Sequence, residues 1–212
     1  MSIQFNFRKE YGKSKLDRND LADNPFEQFL KWIDEALESA IEEPHAMILS
    51  TSGFNNWPSS RIVLLKDCTN KGFTFFTNCN SKKGRQLVEN PYASLLFPWH
   101  QMERQVRIEG KVTKLSAEES DAYFDTRPEG SKLAAWVSPQ SEEITSRDFL
   151  DLKINEIASK FKNQPIPRPI YWGGFILVPD LFEFWQGREN RLHDRFEYAM
   201  EGGNWKIRRL AP

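Results

Sequence analysis

The stretch WQGRENRLHDR, residues 185–195, places Trp185, Arg188, Arg191, His193, Asp194 and Arg195 within one short segment. Guanidinium groups recognise anionic and planar polar groups, and a histidine can hold or move a proton near neutral pH. A surface loop rarely needs all of these together, so the segment is a candidate binding site. The plainer alternative makes Trp185 a core residue and pairs the arginines with Glu189 and Asp194 on the surface.

Other cations cluster at the ends of expected elements. Arg61 and Lys66 bracket the apolar run RIVLLK, and Lys82 and Lys83 open a helix after FTFFT, residues 73–77. A helix start offers free N–H groups and the positive end of the dipole, which suits a phosphate. Solvated lysines are the alternative there. Arg61, at the edge of a buried strand, needs a partner. Arg127-Pro128-Glu129-Gly130-Ser131, with Tyr123 one helical turn earlier, is a second candidate anion site.

The elements that must position these groups follow from periodicity. Asn24 or Asp23 caps a helix with Pro25 in its first turn. Phe26, Phe29, Leu30, Ile33, Leu37 and Ile41 recur at helical spacing, and Pro44 ends it. A buried apolar strand is expected at 46–51, an apolar strand with a cation at each end at 61–66, and further strands at 73–77 and 93–99. GFNNWP (53–58) reads as a turn in which Asn tolerates positive φ. The strand at 104–115 buries Val106, Ile108, Gly110 and Val112 on one face. Ser81 caps a short helix through Glu89. Ser116 and Glu119 form a capping box for another through Phe124. A further helix is expected from Thr145 to Phe161, and QPIPRP (164–169) is a rigid connection. Two strands, 172–178 and 181–186, precede a hairpin of 195–200 and 204–209 turning at Glu201-Gly202-Gly203. About eight strands with few helices between them predict a mainly β chain, antiparallel, barrel or sandwich, with peripheral helices.

Composition bounds the function. The chain has 212 residues, 39% hydrophobic and 13% aromatic, and a net charge of −1. That is enough apolar material for a core, and it offers no global field for nucleic acid or acidic membranes. Two cysteines, Cys68 and Cys79, and three scattered histidines give neither a disulfide framework nor a metal site. No dinucleotide or P-loop fingerprint occurs. No segment is apolar enough for a membrane span, and the N-terminus lacks a signal-like run, so a cytoplasmic location is expected. Residues 1–20 read as a mobile arm and 21–212 as a single domain.

RIVLLK, SLLFPWH, ERQVRIEG, AAWVSPQS, WGGF, EFWQGRENRLHDRF and WKIRRLAP closely resemble the pyridoxamine 5′-phosphate oxidase family, in order, from the RKEY segment at 8–11 to Pro212. The resemblance implies an FMN-binding antiparallel split β-barrel and a homodimer with FMN at the subunit interface. It implies oxidation of pyridoxamine 5′-phosphate and pyridoxine 5′-phosphate by O2 to pyridoxal 5′-phosphate, releasing H2O2. The implied FMN residues are Arg61, Ile62, Val63, Leu64, Leu65, Lys66, Phe76, Thr77, Lys82, Lys83, Gln105, Gln140, Ser141, Trp185 and Arg195. The implied substrate residues are Lys66, Tyr123, Arg127, Ser131, Arg191, Leu192 and His193, with Arg8, Lys9, Glu10 and Tyr11 as a candidate lid. Arg191 and His193 would be catalytic, Arg191 by holding the ring and His193 by orienting the reacting group or taking its proton. Family members usually carry Arg at the place of Lys82 and commonly Tyr at that of Phe76; Lys keeps the charge but not the fork geometry. A related flavin reductase and a non-catalytic carrier of FMN or pyridoxal phosphate are the competing classes.

Overall fold

The structure, a computed structural model, describes residues 9–212. Among these are nine strands and five helices: β1 Ala46–Ser52, β2 Pro58–Leu64, β3 Asp67–Thr69, β4 Gly72–Asn78, β5 Tyr92–Trp99, β6 Arg104–Lys114, β7 Trp172–Gln186, β8 Asp194–Glu201 and β9 Asn204–Leu210, with α1 Pro25–Leu37, α2 Lys82–Glu89, α3 Ala117–Asp125, α4 Glu129–Val137 and α5 Arg147–Lys160. The hydrogen-bonded order is β2-β1-β5-β6-β7-β4-β3, with β8 on β7 and β9 on β8. The pairings of β4 with β3 and β7, and of β8 with β7 and β9, are antiparallel. The chain is mainly β, as the strand pattern led us to expect.

The chain divides into two compact units. The first takes residues up to 48, 94–109 and 179–212. Its core is aromatic: Trp32 meets Phe184 edge-on at 5.2 Å, and Phe29 packs on Phe97 at 5.0 Å. Helix α1 supplies Phe29, Trp32, Ile33 and Ala36 to that core, and the Asn24 side chain accepts the N–H of Phe26 at its start. The helix stops at Leu37, short of Ile41, and Leu30 and Leu37 are exposed rather than buried. Its buried stripe runs through Trp32, one step round from the one drawn through the leucines.

The second unit takes residues 49–93 and 110–178. Phe75 and Phe175 lie opposite each other in register on β4 and β7, with rings stacked at 5.7 Å. Ser81 caps α2, and Ser116 with Glu119 forms the expected box on α3. Helix α4 was not expected. Pro128 occupies its N-cap position, so the proline starts a helix rather than only ending one. The expected strands at 172–178 and 181–186 are one strand, β7. Pro179 falls between the stretch paired with β4, ending at Leu177, and the stretch paired with β8, beginning at Leu181. Its missing N–H therefore costs neither of those ladders a bond.

Candidate active site

The second unit holds a cavity of about 490 Å³. Ile62, Val63, Leu64, Lys66, Phe76, Thr77, Lys83 and Gln140 of the implied FMN set line it, together with Tyr123, Arg127 and Ser131 of the implied substrate set. Lys83, on the first turn of α2, is buried. It donates to Gln140 Oε1 at 2.7 Å and to Thr77 Oγ1 at 3.0 Å. Burial, and then the nearby Arg61 charge, push its pKa down to about 8.

Arg61 does not line this cavity and is held in place by a relay. Its guanidinium donates to Leu49 O (3.0 Å), Thr51 Oγ1 (2.6 Å) and Ser59 Oγ (2.7 Å). Both hydroxyls then donate to Gln86 Oε1 at 2.8 Å. Gln86, on α2, had no sequence signal, since a lone glutamine on a helix carries none.

Arg127 is the most telling group. Its guanidinium lies 4.5 Å from the centre of the Trp172 ring, and its Nη1 is buried without a hydrogen-bond partner. Burial lowers its pKa, and the Tyr123 charge opposes this. Tyr123 stacks on Phe76 at 3.8 Å, and Phe76 on Trp172 at 5.4 Å, so three flat rings support this wall. Trp172 was visible only as part of WGGF. Among the described residues neither Arg61, Lys83 nor Arg127 makes an ion pair with a carboxylate; Arg61 and Lys83 donate only to neutral oxygens. Lys83 is buried and Arg61 and Arg127 are half-buried; cations withdrawn from water without counter-charges are costly, and an anion completes them. The cavity fits a phosphate-bearing group.

The first unit holds a second cavity of about 640 Å³, lined by Lys9, Glu10, Tyr11, Trp185, Arg188, Arg191 and His193. The loop from β7 to β8 presents the last three, in a segment where Asn190 and Arg191 both adopt left-handed backbone (φ 55° and 62°). Such a conformation costs a non-glycine residue on the order of 1 kcal/mol. The His193 ring lies 4.6 Å from that of Trp185, and Tyr11 meets Trp185 edge-on at 5.8 Å. His193 Nδ1 accepts the backbone N–H of Arg188 at 3.1 Å. Burial, then the Arg191 charge, lower its pKa, against the pull of Asp194. The ring is therefore neutral at pH 7 and carries its proton on Nε2, a tautomer assigned from this hydrogen bond.

Some implied residues line neither cavity. Leu65 is buried, Lys82 and Ser141 are exposed, and Gln105 is half-buried on β6. Leu192 is exposed. Arg195 donates Nε to Glu183 Oε1 at 2.8 Å and Nη1 to Ala211 O at 2.8 Å. Glu183, buried, is held from its other oxygen by Arg107 at 2.6 Å. Arg8 lies outside the described residues. The surface pairing weighed for the loop is partly present, since Arg188 donates to Asp194 at 2.9 Å.

Known proteins resemble the whole chain. A family model described as pyridoxamine 5′-phosphate oxidase matches residues 33–161. A second, described as the pyridoxine 5′-phosphate oxidase C-terminal dimerisation region, matches residues 172–212. The chain belongs to the pyridoxine/pyridoxamine 5′-phosphate oxidase family. A protein of that name from Nostoc punctiforme is 53% identical over 97% of this chain and 96% of its own length. One from Cupriavidus pinatubonensis is 52% identical over 97% of each. Among solved structures, PhzG from Burkholderia lata, in complex with tetrahydrophenazine-1-carboxylic acid, matches with a TM-score of 0.86 and 30% identity over 92% of this chain and 95% of that one. An FMN-binding protein related to pyridoxamine 5′-phosphate oxidase, from Nostoc punctiforme, shares the fold at a TM-score of 0.70, with 16% identity over 89% and 98%. The fold class is the split barrel expected from the resemblance. Among the described residues no helix is long and apolar enough to cross a membrane, and no cluster of side chains suits a metal ion.

Proposed function

We propose that this chain is an FMN-dependent oxidase that converts pyridoxine 5′-phosphate and pyridoxamine 5′-phosphate to pyridoxal 5′-phosphate. The observation that carries the reading is the set of three cations, Arg61, Lys83 and Arg127, without carboxylate partners among the described residues. FMN, when bound, supplies a two-electron acceptor that O2 can regenerate. In the net reaction the C4′ alcohol and O2 give the aldehyde and H2O2. With the amine, one water is also consumed and NH3 leaves.

The roles of the residues follow from their chemistry. Arg61 and Lys83 hold the flavin phosphate, with Thr77 and Gln140 orienting the Lys83 ammonium. Arg127, Lys66, Tyr123 and Ser131 take the substrate phosphate. Arg191 steadies the ring and its developing charge, and His193 offers Nε2–H to the substrate's C4′ oxygen or nitrogen. The reading includes a homodimer with FMN at the subunit interface, supported by the dimerisation-region match.

The likeness to PhzG raises a second substrate class, a fused-ring carboxylic acid, whose carboxylate could also meet Arg127. The deciding experiment is anaerobic mixing of the flavin-loaded protein with one reductant at a time. Bleaching of bound flavin by pyridoxine 5′-phosphate, and not by NADPH or tetrahydrophenazine-1-carboxylic acid, is expected. Bleaching by NADPH alone would mean a flavin reductase, and no bleaching a carrier.

A further inference from the structure

The last residue before β6, Glu103, has no part in the roles assigned above. Its side chain is buried, and its backbone is left-handed, φ 55°. Glycine and asparagine adopt that conformation more readily. What glutamate brings is a long side chain with a carboxylate, and the whole of it is used on the N-terminal arm. Oε2 accepts the backbone N–H of Gly12 at 2.9 Å and of Lys13 at 3.0 Å. Oε1 lies 3.6 Å from Lys9 Nζ. The Glu103 carbonyl accepts the N–H of Gly187 at 2.7 Å, so the same residue ties the arm to the start of the β7–β8 loop.

The arm is seated from that loop as well. Asn190 donates its N–H to Glu10 Oε2 at 3.2 Å. Tyr11 lies against Trp185 and 5.8 Å from the His193 ring. Gly187 leaves the room this needs: a Cβ there would come within 2.8 Å of the Tyr11 ring. A bare structural acid could satisfy itself on any nearby N–H. This one spends both oxygens on arm residues 9–13, three of which line the cavity with Arg191 and His193.

We propose that Glu103 is a positioning residue that latches the arm, so that Lys9, Glu10 and Tyr11 are held beside Arg191 and His193 as one wall of the substrate site. The kinetic half of this rests on the oxidase reading; the latch itself does not.

The test uses the full-length, flavin-loaded protein and two readouts. The first is limited trypsin cleavage after Lys9 and Lys13; the second is the division of any defect between KM and kcat for pyridoxine 5′-phosphate. Glu103→Ala should speed cleavage and raise KM by roughly tenfold, the order expected for losing charge-assisted hydrogen bonds, while flavin stays bound. Glu103→Gln keeps an acceptor oxygen and should recover most of both. Gly187→Ala disturbs the seat from the other side with Glu103 intact, and should reproduce the Glu103→Ala pattern even if Glu103→Ala fails to fold. Unchanged cleavage in Glu103→Ala, or in Gly187→Ala where the former does not fold, overturns the latch. Faster cleavage with unchanged KM overturns its role at the site. If the wild type oxidises no B6 phosphate, the oxidase reading fails and cleavage alone still decides the latch.

Discussion

The backbone N–H of Arg188 donates to Nδ1 of His193 at 3.1 Å, which uses that nitrogen's lone pair and leaves Nε2 as a donor. A ring so engaged orients a substrate group better than it abstracts a proton. His193→Asn, which can still donate, should lower kcat by roughly 2- to 13-fold, the cost of one ordinary hydrogen bond of ~0.5–1.5 kcal/mol. A loss of ~10²–10⁴ would instead mark general acid–base work.

The same bond predicts a pH profile. Protonation of His193 destroys the acceptor for Arg188, and burial with the Arg191 charge holds the pKa below its ordinary value. The neutral ring is thus the folded form's preference. kcat/KM should be flat above pH 7 and fall only on the acid side of the ordinary imidazole range. The acid limb should vanish in His193→Asn; its persistence there would assign it to another group.

Arg127 can be tested by a double cycle. One charge-assisted hydrogen bond contributes ~1.5–3 kcal/mol, so Arg127→Ala should raise KM for pyridoxine 5′-phosphate by roughly 10- to 150-fold with FMN retained. Unphosphorylated pyridoxine should be a poor substrate for both proteins and equally so. An equal loss on both substrates would show that Arg127 does not read the phosphate.

On the proposed reading, Lys83 should make FMN affinity alkaline-sensitive. Burial pushes its pKa down to about 8, so the proposed phosphate partner loses its charge as pH rises through that value. The Kd for FMN, from quenching of flavin fluorescence, should rise above pH 8, and Lys83→Arg should flatten that rise. Stability runs the other way. Between about 8 and the ordinary lysine value the unfolded chain binds more protons, so the apoprotein should gain stability over that window.

The Glu183 carboxylate, clamped by Arg107 and Arg195, should matter for stability at neutral pH. Burial raises its pKa, but the two guanidinium groups outweigh this and hold it below the usual carboxylate range. Its contribution is present above that range and is lost as pH falls through the lowered value. Glu183→Gln should cost about 1–3 kcal/mol at pH 7 and less in acid, read from denaturant midpoints.

Local signals in the sequence were reliable where one residue type has one physical use. The caps at Ser81 and Ser116, the β6 alternation and the Gly202-Gly203 turn all stand where the sequence puts them. Failures came where tertiary pairing decides. The division of 172–178 from 181–186 gives way because Pro179 lies between two strand partners of one strand, and the exposed faces of Leu30 and Leu37 obey packing rather than hydropathy. The site motifs were legible as residue types. That Arg127 Nη1 lacks a partner, that Gln86 aims Arg61 through two hydroxyls and that Glu103 holds the arm are relations between distant segments, which no spacing encodes.

The β8–β9 hairpin also sets an order of events. Gly202 and Gly203, both at positive φ, close a two-residue turn, and the pairs run outward from Glu201–Asn204 to Arg195–Leu210. β8 also pairs with β7 from Gln186–Asp194 to Leu181–Ala199. Residues 181–210 therefore form a meander of short-range contacts with little loop entropy to overcome, which favours early formation. The arm must cross about ninety positions of sequence to reach Glu103, as the Gly12 bond does. It should dock late. Pulsed hydrogen exchange during refolding should protect amides of β8 and β9 before those of Gly12 and Lys13; protection of all at one rate would refute this sequence.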